Sequence, residues 1–182
     1  MDHTSLLGLL AHYMAADSNE ARMAEETIRF IHLHPADCFS RSLLTGHITG
    51  SAWIVNAAGT HTALIHHRKL DKWFQPGGHC DGDPDVLAVA KKEAIEETGL
   101  PVTPRSAEIF DVDIHTIPAR AGVPEHLHYD IRFLFVADEA VTHVLHNREV
   151  KEVKWIALED VSRYNASDSI MRMVLKTSNV AR

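Results

Sequence analysis

The chain has 182 residues, 45% hydrophobic and 24% charged, a composition that fits a globular domain and excludes a disordered or fibrous one. Its net charge of −7 argues against a nucleic-acid polymer or an anionic membrane surface as partner, since both attract cationic faces. Two cysteines, Cys38 and Cys80, are too few for a disulfide scaffold and point to a reducing compartment, so a cytoplasmic location is expected.

At the N-terminus, Leu6, Leu7, Leu9 and Leu10 form a short apolar run with Asp2 before it and no early Lys or Arg. Neither a secretory signal nor a membrane span is expected. Residues 4–15 read as a helix capped by Thr4 or Ser5. Residues 18–33 read as a second, capped by Ser18, with Met23, Ile28, Phe30 and Ile31 among its apolar residues and Pro35 beyond its end. Residues 1–44 thus form a helical extension ahead of a domain at 45–182. The extension either packs on that domain or makes a homodimer contact, and the residues leave both open.

From Gly46 the pattern turns to strands. Residues 47–56 and 61–68, separated by Ala57-Ala58-Gly59-Thr60, read as a hairpin. After Pro76, the pair Gly77-Gly78 marks a sharp turn or a close backbone approach. A helix is then expected over 84–98, with Asp83 as N-cap, Pro84 at its first position and Gly99 just past its end. Strands follow at 106–117 and 126–138, joined by a loop containing Arg120, then a strand at 150–158 and helical segments at 159–163 and 166–177.

The helix at 84–98 carries Glu93, Glu96 and Glu97 at i, i+3 and i+4, so all three carboxylates share one face. A solvated acidic helix end is the commoner reading of such a triplet. Here the acids crowd the C-terminal end, where the helix dipole disfavours negative charge. Leu87, Ala88, Ala90, Ala94 and Ile95 cover much of the remaining circumference. A hard divalent cation, Mg²⁺ or Mn²⁺, would relieve the repulsion through oxygen ligands.

Gly78 and the run from Lys92 to Leu100 resemble the signature of the Nudix hydrolases: Gly, five residues, Glu, seven residues, then Arg-Glu-apolar-x-Glu-Glu-x-Gly-apolar. The match covers 23 residues directly, with Pro84 in place of the first Glu and Lys92 in place of the Arg. In the family those two side chains brace loop against helix, so their replacement implies the loss of one structural contact. The resemblance implies an α/β fold, an α/β/α sandwich with a mixed sheet. It also implies hydrolysis of a nucleoside diphosphate linked to another moiety, or a related pyrophosphate, by water attacking phosphorus with Mg²⁺ or Mn²⁺ as cofactor. By the same resemblance Glu96 and Glu97 ligate metal, Glu93 ligates or takes a proton from water, and Glu149 supplies a further acid beyond the box. The resemblance also implies that Gly78 and His79 face the substrate pocket.

Arg68 and Arg120 are candidate phosphate contacts, although solvated charge is as common a fate. Tyr129 is a candidate to stack on a base, although core packing is commoner. His126 and His128 share one strand face; substrate contact, packing and a transition metal all remain open for them. The alternation Asp81, Asp83, Asp85 is not a calcium loop, since the sixth and twelfth positions hold Val86 and Lys92. Two other classes stay in view: an isomerase of the isopentenyl diphosphate type, which would need a catalytic cysteine, and a non-catalytic nucleotide sensor.

Overall fold

The computed structural model describes residues 3–120, 122–141 and 149–180. Two helices come first, α1 (His3–Ala11) and α2 (Ser18–Leu33). α1 ends before residue 15 because the amides of His12 and Tyr13 turn back to carbonyls three residues earlier, a tight last turn. Asp17, not Ser18, caps α2: its carboxylate accepts the Glu20 amide at 2.8 Å.

Among the described residues, eight strands form one mixed sheet: β1 (Gly46–Val55), β2 (His61–His67), β3 (Lys72–Phe74), β4 (Gly77–His79), β5 (Thr103–Pro104), β6 (Asp111–Ile117), β7 (His126–Val136) and β8 (Val150–Ala157). The central order is β3-β2-β1-β7-β5, with β4 on β1, β6 on β7 and β8 on β2. β1 and β7 run parallel along their length, His47 opposite His128 and Val55 opposite Val136. The β1–β2 hairpin is short, because beyond Ile54 and Val55 the two strands diverge to take β4 and β8 as partners. β6 starts at Asp111, later than the pattern suggests, because the Ser106 hydroxyl accepts the Glu108 amide and bends the chain there.

Helix α3 (Val86–Thr98) begins two residues later than expected. Asp85 is its cap, accepting the Ala88 amide at 3.1 Å. Asp83 instead folds inward and accepts the Asp85 amide at 2.9 Å, so Pro84 lies before the helix. Gly99, at φ 69°, closes α3 in the left-handed region as expected. A 3₁₀ turn (Leu158–Arg163) and α4 (Asp168–Val180) finish the described chain.

The layers follow from the alternation of side chains along the strands. On one sheet face, Ile48, Ala52, Ile131 and Phe133 pack with α1, α2 and α3 through Leu6, Leu10, Phe30, Ile31, Val86 and Ala90. On the other, Trp53, Val55 and Leu134 pack under α4 and the 3₁₀ turn through Val161, Ile170 and Met173. This is an α/β/α sandwich around a mixed sheet. α1 and α2 share their core with the sheet instead of standing apart from it.

The second face turns polar toward the N-terminal end of β1. His47, Thr49 and Ser51 of β1 align with His128, Asp130 and Arg132 of β7, and those with His115, Asp113 and Asp111 of β6. Buried Arg132 reaches Asp130 at 2.8 Å and Asp111 and Asp113 at 3.1 Å each. Arg172 of α4 reaches Asp111 at 2.7 Å and Glu20 of α2 at 3.5 Å, while Lys176 also pairs with Glu20. Taking one partner away from such a network leaves a buried charge unmatched, so it locks α2, α4, β6 and β7 into one arrangement.

Candidate functional site

Strand β4 is three residues long, Gly77-Gly78-His79, and α3 lies against it. Gly78 is glycine for a steric reason: a Cβ there would sit 2.6 Å from the Glu93 carboxyl carbon. On the adjacent residue, the Gly77 amide donates to Glu97 Oε2 at 3.0 Å. Gly78 thus lets the acidic face of α3 come against bare backbone, whereas a Cβ on Gly77 would meet Ser51 of β1 instead.

The three acids sit in different environments. Glu97 is buried, and its carboxyl is raised from 4.5 to about 7, first by loss of water and then by the charges of Glu93, Glu149 and Glu96, with the Gly77 amide opposing. Glu93 is half-buried and also raised, by desolvation first and by Glu96 second. Glu96 is exposed and lies 3.9 Å from Lys92 one turn earlier. Glu149, in the exposed turn before β8, adds its charge to both Glu93 and Glu97, so a residue 52 positions from Glu97 belongs to the same field. No Lys or Arg forms an ion pair with Glu93 or Glu97 among the described residues.

These residues fit a hard divalent cation. The donors are carboxylate oxygens, the backbone at Gly78 has no side chain to obstruct an ion, and the buried carboxyl of Glu97 feels three acids and forms no ion pair with a Lys or Arg among the described residues. The carboxylates are not the tightest grouping of ligand atoms: among the described residues, the set of three that all lie within 4.8 Å is His47, His126 and His128.

The remaining predicted residues separate. His79 stands beside Gly78 with its ring toward the polar sheet face, 5.1 Å from the rings of His47 and His128, and burial lowers its pKa. Arg68 is exposed, and its amide donates to the Glu149 carbonyl at 2.7 Å, which places these two residues side by side. Arg120 lies in the exposed loop between β6 and β7, bridged through its backbone to Val123. Tyr129 does not join them. It projects from the opposite sheet face to His128 and stacks on Phe30 of α2 with ring centroids 4.0 Å apart. The two-residue period of a strand puts neighbours on opposite faces, so Tyr129 packs in the helical layer.

Two participants have no local signature. Arg41, from the loop before β1, forms a bidentate pair with Asp81 and feels the charge of Glu93. His47 reaches His79 and His128 only through strand pairing. The run of alternating histidines in β7 is a partial signal for that cluster, but its partners on β1 and β4 lie far away in sequence.

The NUDIX domain family model matches residues 47–175. Among solved structures, an Ap4A hydrolase binary complex from C. elegans is similar at 19% identity and a TM-score of 0.59, covering 73% of this chain and 96% of that one. A NUDIX-family hydrolase from Clostridium perfringens shares 23% identity at a TM-score of 0.56, with 74% and 97% covered. The MutT protein of Methanosarcina mazei Go1 shares 20% at 0.56, with 77% and 98% covered. No curated protein matches the chain.

Proposed function

We propose, from the premise that this chain belongs to the NUDIX domain family, that it is a metal-dependent pyrophosphohydrolase of a nucleoside diphosphate linked to another moiety, or of a related pyrophosphate. The observation that carries the reading is the packing of the Glu93 and Glu97 carboxyls against Gly77 and Gly78, which assembles oxygen donors on bare backbone. Glu96 and Glu97 hold Mg²⁺ or Mn²⁺ in this reading, with Glu93 as third ligand or as the base that takes a proton from water. When bound, the ion supplies neutralisation of phosphate oxygens and a more acidic water.

Glu97 must lose its proton to serve as ligand, and its raised pKa means that this happens near neutral pH. Glu149, within the same field, is a second candidate base. Arg68 and Arg120 offer positive charge to phosphates from the rim, and Gly78 and His79 line the approach. Cys80 supports hydrolysis over the isomerase alternative: it is buried, and desolvation first and Asp130 second push its thiol far above the ordinary range. The buried free thiols Cys38 and Cys80 suit a cytoplasmic setting, and no helix among the described residues is long and apolar enough to cross a membrane.

The test is a Mn²⁺ titration of wild type and the Glu96→Gln/Glu97→Gln variant, beside a panel of nucleoside diphosphate compounds scored with Mg²⁺ for phosphate or monophosphate release. Loss of both Mn²⁺ affinity and release in the variant is expected. Equal affinity in the two proteins would sink the assignment.

A further inference from the structure

We propose that His47, His126 and His128 form a second cation site, chemically distinct from the acids of α3, that takes a single borderline transition-metal ion such as Zn²⁺ or Co²⁺. One ring nitrogen of each lies within 4.8 Å of the other two. The strands dictate the grouping: His126 and His128 are two apart on β7 and share a face, and the parallel register sets His47 of β1 directly opposite His128.

Two further observations point to a ligand. His47 is 2% exposed, yet neither of its ring nitrogens has a hydrogen-bond partner, and His128 Nε2 is likewise buried and unpartnered. The Leu43 carbonyl lies near the His47 ring without reaching hydrogen-bond geometry. Buried polar nitrogens are paired in the great majority of proteins, so two orphaned imidazoles facing each other call for a shared partner. His126 is already oriented: Nδ1 lies 2.9 Å from the Pro124 carbonyl, which can only accept, so Nδ1 carries the proton and Nε2 keeps its lone pair. A backbone carbonyl behind one imidazole nitrogen is the usual support of a metal-ligating histidine.

The donor type separates this site from the first. Imidazole suits Zn²⁺, Co²⁺, Ni²⁺ and Cu²⁺, whereas the carboxylates of α3 suit Mg²⁺ and Mn²⁺. Three protein ligands leave a coordination position for water or an anion. His79 stands next to the trio, 5.1 Å by ring centroid from His47 and from His128. His115 stands 5.4 Å from His128 with its Nδ1 3.2 Å from Asp113, which ties the trio to the buried charge network. Packing of neutral rings alone would leave the orphaned nitrogens of His47 and His128 unexplained.

The experiment uses the full chain, stripped with a chelator and then saturated with Mg²⁺ so that the acids are occupied. Co²⁺ is titrated by its visible ligand-field bands and Zn²⁺ by calorimetry. One equivalent of each should bind, with Zn²⁺ displacing Co²⁺. His126→Gln is the primary variant, because this ring is only half-buried and its replacement leaves the core intact; His47→Gln is the second, with folding followed by circular dichroism. Each should weaken Zn²⁺ by more than about tenfold, since losing even an outer partner of a ligating histidine costs about 10–100-fold. Glu96→Gln/Glu97→Gln should leave Zn²⁺ affinity unchanged, which keeps this outcome separate from the fate of the hydrolase reading. Absence of one-equivalent binding in the presence of Mg²⁺ would overturn the proposal. So would wild-type affinity in His126→Gln, or loss of Zn²⁺ binding in the acid variant alone.

Discussion

Replacing Gly78 by Ala tests whether the acid site depends on the bare strand. The new Cβ would lie 2.6 Å from the Glu93 carboxyl carbon and 2.8 and 2.9 Å from its oxygens. Contact at rest needs about 3.5–4.0 Å, so the carboxyl must retreat by roughly 1 Å. The obstacle is the far end of a flexible side chain, so the fold pays little: an off-rotamer side chain costs about 0.5–1.5 kcal/mol, and Ala in a strand recovers roughly 0.5–1 kcal/mol over Gly. Net stability should therefore change by about 1 kcal/mol or less, a shift in Tm of about 2–4 °C for a domain of this size. The site should suffer more. A displacement of roughly 1 Å at a reacting group costs about 100-fold, or about 2.7 kcal/mol of barrier. The assay pairs kcat on the best compound of the panel at saturating Mg²⁺ with Mn²⁺ affinity and a melting curve. Turnover down about 100-fold in a protein that melts normally is the expected result. Wild-type turnover and Mn²⁺ affinity in a folded Gly78→Ala protein would refute the argument that Gly78 exists to seat Glu93.

Two more outcomes follow from burial and charge. Because the Glu97 carboxyl is raised from 4.5 to about 7, the folded metal-free protein favours the protonated form; the associated stability is fully present below about 4.5 and is lost as pH rises through about 7. Glu97→Gln, which retains an acceptor for the Gly77 amide, should thus match wild type near pH 4 in chelator and exceed it at pH 8 by up to about 3 kcal/mol; equal melting curves at pH 8 would contradict the raised pKa. A chain truncated to begin at Thr45 should fail to fold stably, since it exposes the surfaces that buried Leu6, Leu10, Met23, Phe30 and Ile31 now cover. At roughly 1.5–3 kcal/mol per large side chain, that loss rivals a typical total stability of about 5–15 kcal/mol, before the Glu20 charge partners are counted. A cooperative melt near the wild-type Tm in the truncated protein would contradict this.

What the amino-acid sequence determined by itself is local. The i, i+3, i+4 spacing of Glu93, Glu96 and Glu97 is a property of one helix, and Gly99 ends that helix wherever it is placed. The alternation in β1, β2, β7 and β8 is likewise read within single segments, and the two-residue period would already have set Tyr129 apart from His126 and His128. The cap of α3 shows where local reading becomes ambiguous: Asp83 and Asp85 are both competent, and the choice falls to the one whose carboxylate reaches the Ala88 amide. Only the tertiary structure decided the rest. Whether Glu97 is buried and Glu96 exposed depends on which arc of α3 meets β4, and the approach of Glu149 depends on the β2–β8 pairing that brings it beside Arg68. The histidine cluster depends on the parallel register of β1 and β7, in which His47 and His128 are 81 positions apart in the chain and directly opposite in the sheet. A shift of that register by one residue would turn every β7 side chain to the other face relative to β1, and no feature within either segment alone specifies it.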